Sequence, residues 1–401
     1  MSSVNLKHSS GNGTKITGPV ANPSADITLK VPSTTGSAGQ VLSVATANHS
    51  ATNAELEWAA AGGGSVTNLL HNGAMQIAQR PELTTAADGY GSVDRWYFYN
   101  AGDGRVTMTQ ATDVPSTKEF QYSLKVDVTT ADTAGASSRG LVCQWLEARD
   151  SSETLKGTSA AKKITVQFWV KSPKTGTHIV ALSDNDATDH STSRFINATY
   201  TVSTANTWEK KTVTFAGDTT GVFNTTTARG LAVIFRLVQG STSTSGALAT
   251  SWADYAVANE GAGQVNVLDN TSNDFYLTGV QAEIGDTAND FQHLKYIDDL
   301  FNCQRYYQKA EHYKYTGNPS TYDYWCDTVQ LSPSMRTTPT LLKTTDINAD
   351  TGTGSFKISS GSVATDGAVI DRASTEAVVF KQKDGYNWAY DTIRMHFIAE
   401  L

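Results

Sequence analysis

Four clusters in this chain carry residue types that could do chemistry. The first is Trp252-Ala253-Asp254-Tyr255, set in a Ser-, Gly- and Ala-rich segment over 239–264 with little strand pattern. The C–H faces of a sugar ring stack on Trp and Tyr as other apolar faces do, and a carboxylate beside them accepts hydroxyl hydrogen bonds. Trp252, Asp254 and Tyr255 are the candidate carbohydrate-binding residues; the competing role is to pin the loop or meet a neighbouring subunit. Tyr322, Tyr324 and Trp325 form a second aromatic group with the same choice of roles. The acidic run Asp184-Asn185-Asp186-Ala187-Thr188-Asp189 has the alternation that wraps calcium, but it lacks the Gly and distal Glu of an EF-hand loop. A solvated loop with no metal is expected. Glu147, Asp150 and Glu153 could be offered as a glycosidase pair, which must flank the sugar across a defined gap. No aromatic motif frames them, so ordinary strand-end and loop acids are expected.

No GxSxG, HExxH, phosphate-loop or dinucleotide fingerprint is present. Gly102-Asp103-Gly104 and Gly261-Ala262-Gly263 lack a third glycine and a following helix, so they are turns. No catalytic residue and no cofactor are expected. The three cysteines, Cys143, Cys303 and Cys326, form no CxxC and are too few for a disulfide framework. Cys143 and Cys303 lie in apolar stretches and are expected as small core residues. The formal net charge is −8, and without a basic stripe a general nucleic-acid binder is not expected. The first residues, MSSVNLKHSSGNGT, lack the apolar core of a secretory leader. With no apolar run of about 18 residues, membrane insertion is not expected.

The elements that must position these residues are strands. Charged residues are only 17% of the chain, against roughly 25% in ordinary soluble proteins, and Thr, Ser, Asn and Gly supply the polarity. Residues 66–285 carry about ten strand-like segments separated by Gly, Asp, Ser and Thr clusters. In Ile164–Val170, Ile164, Val166, Phe168 and Val170 share one face. Such a pattern predicts an antiparallel sandwich or jelly roll. Leu69-Leu70 and Asn72–Ile77 suggest an opening strand, and Trp96, Trp145, Trp169 and Trp208 are expected in the core. Ile297, Leu300, Phe301 and Gln304 recur at helical spacing, with Asp298 and Asp299 in the first turn. A helix of about two turns is too short to stand alone in water, so its apolar side is expected to pack on the sandwich. A second β set follows, including Tyr322–Gln330, Thr340–Thr345, Phe356–Ser359, Ala377–Lys381 and Ile393–Ile398.

Residues 1–65 hold only short apolar sets and end in Gly62-Gly63-Gly64-Ser65, so their strands need partners to bury a face. The pattern ITLKVPSTTGSAGQVLSV…LEWA, with Gly36, Gly39, Gln40, Leu42 and Trp58-Ala59, resembles a module of phage tail fibres and related virion appendages. NLLHNGAMQIAQR, Asp94-Arg95-Trp96, Thr165–Ser172, Thr207-Trp208-Glu209 and FYLTGVQAE resemble the carbohydrate-binding-module-like jelly rolls of phage tail proteins. DDLFNCQRYYQK resembles the ELxxCQRYY signature of fibre proteins, and Ser334–Thr340 and Arg394–Leu401 resemble their tips.

The expected architecture is mainly β: an N-terminal attachment or intertwining arm (1–65), a jelly-roll body (66–290), a linking helix and strand start (291–310) and a small C-terminal β tip (311–401). Leu300, Phe301, Arg305, Tyr306 and Tyr307 are expected to serve interdomain or interface packing. The resemblance implies a structural, adhesive subunit of a tail fibre in the virion, made in the host cytoplasm. It implies a homotrimer, held to other virion proteins through residues 1–65 and binding host surface glycan through many weak contacts. A head fibre and a glycan-degrading tailspike are the alternatives. A tailspike usually carries a long parallel β-helix, and no fixed-period coil repeat is visible here.

Overall fold

The computed structural model describes residues 68–184, 193–221, 226–314, 326–342, 368–382 and 391–400, with 3–7, 13–17, 28–30, 33, 40–44 and 53–60 before them. Tyr322, Tyr324, Trp325, the Phe356–Ser359 strand, Gly62–Ser65 and the acidic run beyond Asp184 lie outside the described residues. The chain divides into two compact units, Met1–Val66 and Thr67–Leu401.

In the first unit, β1 (Ser3–Lys7) pairs antiparallel with β2 (Gly13–Thr17). β3 (Thr28–Lys30) runs parallel to β5 (Asn53–Ala60), and β4 (Gln40–Val44) lies antiparallel to β5 with Leu42 opposite Trp58.

The second unit is built on a two-sheet antiparallel sandwich. One sheet has six strands: β6 (Leu83–Ala86), β9 (Arg105–Ala111), β10 (Ser123–Thr130), β12 (Ile164–Lys171), β15 (Glu209–Phe215) and β18 (Asp274–Ile284), in the order β15-β12-β18-β10-β9-β6. The other has seven: β7 (Asp88–Tyr90), β8 (Tyr97–Asn100), β11 (Arg139–Glu147), β13 (Gly176–Asp184), β14 (Arg194–Val202), β16 (Arg229–Gln239) and β17 (Ala253–Asp254), in the order β17-β14-β13-β16-β11-β8-β7. Period-two alternation sends one side chain in two to the space between the sheets. In β16, Leu231, Val233, Phe235 and Leu237 enter the core. In β12, Val166, Phe168 and Val170 do so from the facing sheet. The Phe168 ring meets Phe235 edge-on at 4.9 Å and Tyr200 at 5.0 Å. Gly279 sits at φ +59 where β18 bulges against β12, and a Cβ there would lie 2.5 Å from the Phe120 ring. The mainly β sandwich expected from alternation is therefore present.

The alternation also corrects three core expectations. Trp96 is fully buried, but Trp169 has the opposite parity to Phe168 and Val170 and is half-buried on the outer face. Trp208 is half-buried too; its indole N–H donates to Asp113 at 2.8 Å. Trp145 faces away from the core, as described below.

Residues 72–77 form no strand. Asn72 and Met75 adopt φ of 54° and 57°, in the left-handed region that no strand can hold. Asn72 organises this loop: its amide donates to the Ile77 and Asp94 carbonyls, and its carbonyl oxygen accepts the Ile77 N–H. Gly73 lets the loop touch β18, since a Cβ would lie 2.1 Å from the Val280 carbonyl oxygen.

α2 (Tyr296–Gln304) forms where the spacing predicts it, but it buries another side. Ile297 and Phe301 are exposed, at 63% and 51%, and Leu300 is half-buried. The buried residues are Asp299 and Cys303. The Asp299 carboxylate accepts the Asn72 backbone N–H and the Gln76 amide, both at 2.9 Å. Satisfying donors of the opening loop outweighs burying the apolar side, which is left open.

After α2, β19 (Tyr307–Lys314) joins β24 (Asp391–Ile398), which also pairs with β21 (Thr340–Leu342). β20 (Cys326–Gln330), β23 (Ala377–Gln382) and β22 (Ala368–Ala373) form a second three-stranded sheet.

A buried polar cluster fastens this C-terminal part to the sandwich. Arg95, 1% exposed at φ +75, pairs with Glu400, donates to the Trp145 carbonyl at 2.7 Å and lies 3.4 Å from the Tyr306 ring centroid. Arg80 also pairs with Glu400, and it stands 4.1 Å from the Tyr307 ring centroid. Arg305 grips the fully buried Glu147 carboxylate with two donors at 2.7 and 2.9 Å, and the Tyr306 hydroxyl adds a third bond at 2.9 Å. Arg305, Tyr306 and Tyr307 thus pack between the C-terminal strands and the sandwich.

Removing Arg95 leaves the Glu400 carboxylate buried beside Arg80 alone. Arg95→Ala is expected to destabilise the second unit by roughly 3–5 kcal/mol, read by denaturant unfolding; a loss under about 1 kcal/mol would show that the cluster does not hold the parts together. His71 supplies a pH test. Burial, then the charges of Arg95 and Arg305, lower its pKa from 6.5 to about 3. The unfolded chain therefore takes up this proton first, and His71's contribution is lost as pH falls from 6.5 towards 3. Asp94, raised by burial from 3.8 to about 6 against the opposing Arg80 charge, works the other way across its own window. His71→Asn should remove a stability loss on the order of 3 kcal/mol between about pH 7 and pH 4. An unchanged pH slope in thermal unfolding would exclude His71.

Candidate functional site

The second face of the seven-stranded sheet is not flat solvent-facing surface. Residues alternate to it from the same strands that fill the core: Tyr97 and Tyr99 from β8, Cys143 and Trp145 from β11, Ala232, Ile234 and Arg236 from β16. A segment expected as a plain loop walls one side. It begins with α1 (Ser241–Thr244), pairs through β17 with the edge of β14, and turns at Val257–Asn259. Backbone bonds hold it: Gly240 N–H to Ser138, Thr242 N–H to Ala136, Tyr255 N–H to Ser193 at 2.8 Å, and Ala249 carbonyl to Asn197 N–H at 2.7 Å. The wall and the sheet enclose a cleft of about 340 Å³, within the range of small-molecule sites (about 300–1,000 Å³).

Aromatic rings and guanidinium groups dominate its lining. Tyr97 stands 5.2 Å from Trp145 and meets Tyr90 edge-on at 4.9 Å. Burial, reinforced by Asp88, pushes the Tyr97 hydroxyl up to about 12. Arg229 covers one face of Trp145 at 4.1 Å. At the other end Tyr255 packs edge-on against Phe195 at 5.6 Å. There Glu260, 2% exposed, accepts from Arg139 at 2.8 Å and pairs with Arg236 at 3.4 Å. Burial lowers the pKa of Arg236 despite Glu260. Burial, then the Glu260 charge, raises that of Tyr255. For Arg139, burial works to lower the pKa, but Glu260 together with Tyr255 and Tyr99 leaves it raised.

The structure divides the sequence-predicted trio. With Ala253 and Asp254 in a strand, Trp252 and Asp254 point to one side and Tyr255 to the other. Tyr255 lines the cleft. Trp252 instead packs on the sandwich core, and its indole N–H donates to the Ala216 carbonyl at 2.7 Å. Asp254 is an exposed partner of Arg194 at 2.6 Å. Leu300, Phe301, Arg305, Tyr306 and Tyr307 are not among the residues lining the cleft.

Sequence reasoning missed Tyr97, Tyr99, Trp145, Arg139, Arg229, Arg236 and Glu260. A parity signal existed for part of this set. In β11, Cys143 and Trp145 alternate with the core residues Val142 and Leu146, and in β16 Arg236 alternates with Phe235 and Leu237. An arginine within an apolar strand is the mark of a second buried face. Glu260 carried no such signal. Among the described residues no group of His, Cys, Asp and Glu is placed to hold a metal ion, and Asp184 is tied to Lys156 and to the Arg194 N–H.

No family model and no curated protein matches the chain. Among solved structures, it is similar to the enzymatically active domain of tailspike protein 4 of bacteriophage CBA120 at 14% identity and a TM-score of 0.31, over 54% of this chain and 21% of that one. The chain thus spans about a fifth of that tailspike domain. It is also similar to a family 11 carbohydrate-binding module of a Clostridium thermocellum cellulase (11% identity, TM-score 0.28, 52% of this chain and 98% of that one). A xylan-binding module of family 22 from Paenibacillus barcinonensis matches at 12% identity and TM-score 0.27, over 47% and 91%. At these values no ligand or activity passes to this chain.

Proposed function

We propose that this chain is a structural and adhesive subunit of a phage tail fibre that attaches the virion to host surface glycan without chemistry. The observation that carries the binding reading is the cleft on the seven-stranded sheet, which Tyr97, Trp145 and Tyr255 line beside polar groups. Sugars are held in this way, by stacking on apolar ring faces with hydrogen bonds to the hydroxyls. Adhesion rather than cleavage is supported by the lining. Glycoside hydrolysis uses two carboxyl groups about 5–9.5 Å apart, whereas Glu260 is the single carboxylate among the described residues lining the cleft and is engaged by two arginines. Assignment to a virion rests on the sequence resemblance, with the arm of residues 1–65 as the attachment segment. The fibre is a homotrimer in this reading. The open side of α2, with Tyr296, Ile297 and Phe301 exposed, supports contact with a second copy.

A glycan array probed with the intact protein tests the binding reading. Tyr97→Ala and Trp145→Ala should each weaken a positive signal about tenfold, the equivalent of one good ring contact. Trp252→Ala, outside the cleft, should keep the signal while lowering stability by roughly 2–3 kcal/mol. Loss of binding only in Trp252→Ala would move the site away from the cleft. For assembly, light scattering should show a trimer for the wild type and a smaller species for Ile297→Glu with Phe301→Glu. An unchanged trimer in that variant would remove the α2 face from the contact.

A further inference from the structure

The charge of the cleft opposes the charge of the chain. The whole protein carries a formal −8, yet the described residues lining the cleft set Arg139, Arg229 and Arg236 against one acid, Glu260. Glu260 offsets one of these three cations. Arg229 has no ion pair among the described residues; its guanidinium lies on Trp145. Arg236 is 2% exposed; its Nη1 stands 3.4 Å from the Glu260 carboxylate without completing a hydrogen bond, and the Nε of Arg139 has no hydrogen-bond partner among the described residues. Buried guanidinium donors left unbonded are costly. A planar group with two acceptor oxygens satisfies such donors best, because the guanidinium fork matches carboxylate geometry. The Asp88 carboxylate near the rim is engaged by the Tyr97 hydroxyl at 3.2 Å.

The cations also have a spacing. Arg229 and Arg236 stand seven residues apart on β16, about 20 Å of extended strand. A backbone span of this length suits a chain with repeated acidic groups better than one small anion.

We infer that the cleft selects an acidic glycan chain, with sugar carboxylates held by Arg229 at one end and by Arg139 and Arg236 at the other, between the rings of Trp145 and Tyr255. The inference rests on the glycan-binding reading of the same cleft. Cation and ring divide the work: the rings hold the sugar faces, and the guanidinium groups choose acid over neutral sugar.

The test is titration calorimetry with the full chain. The probes are oligogalacturonate and a panel of bacterial acidic capsular oligosaccharides, their carboxyl-reduced counterparts, dextran sulfate and neutral dextran. At least one carboxylated probe should bind about tenfold more tightly than its reduced form and should weaken steeply between about 50 mM and about 500 mM salt. Arg229→Gln should lower that affinity about tenfold and shrink the preference for the native over the reduced form, and Arg229→Lys should recover only part of the preference. Equal affinity for native and reduced forms would overturn the acidic selection and leave glycan binding standing. Binding of dextran sulfate but of no carboxylated probe would overturn the carboxylate assignment. No binding of any probe, acidic or neutral, would overturn both readings together.

Discussion

The guanidinium of Arg95 is the constraint on which the second unit depends. It is a charge with 1% exposure, so every neighbour must answer it. Glu400 supplies the counter-charge, the Trp145 carbonyl an acceptor and Tyr306 a ring face. These partners come from the far end of the chain, from β11 and from the residue before β19. Satisfying one cation therefore ties three separate segments together. A buried pair of this kind adds little net stability over an apolar substitute, but breaking it is expensive. We hypothesise that its value here is specificity, fixing how the C-terminal strands dock. Arg305 repeats the logic with Glu147, whose carboxylate accepts both guanidinium donors and the Tyr306 hydroxyl.

The cleft uses the same strands with the opposite parity. β11 sends Val142 and Leu146 to the core and Cys143 and Trp145 to the cleft. β16 divides likewise between Phe235 and Arg236. Core and cleft thus share the same backbone, so the packing that fixes these strands also sets where the cleft side chains start. The two polar systems also meet in β11. Its Trp145 carbonyl accepts from Arg95 while its Trp145 ring lies under Arg229. Rigid strands are suited to holding rings at a fixed spacing.

The strands were the legible part of the chain. Alternation in Ile164–Val170 and the turn clusters between segments located the sandwich, since period-two burial is a local property. Where the local signal was misleading, a distant partner had decided the outcome. The Asn72–Ile77 stretch became a loop because Asn72 bonds its own neighbours and Asp94 in place of a ladder. The helix over Tyr296–Gln304 was legible, but the side it buries was not, because Asp299 satisfies donors 223 and 227 residues away in sequence. Of the candidate binding trio, only Tyr255 lines the cleft, and pairing of Ala253–Asp254 with β14 turned the other two aside.

By itself the sequence determined the class of fold, most strands of the sandwich, the short helix and the weakly charged, Thr- and Asn-rich character of the chain. These follow from local patterning, which each segment carries within itself. Tertiary structure alone decided that Tyr97, Trp145 and Tyr255 share one cleft, that Glu260 stands between Arg139 and Arg236, and that Arg95 meets Glu400. Those pairs are separated by up to 305 residues, and the cost of burying a charge is resolved only when the whole fold delivers its partner.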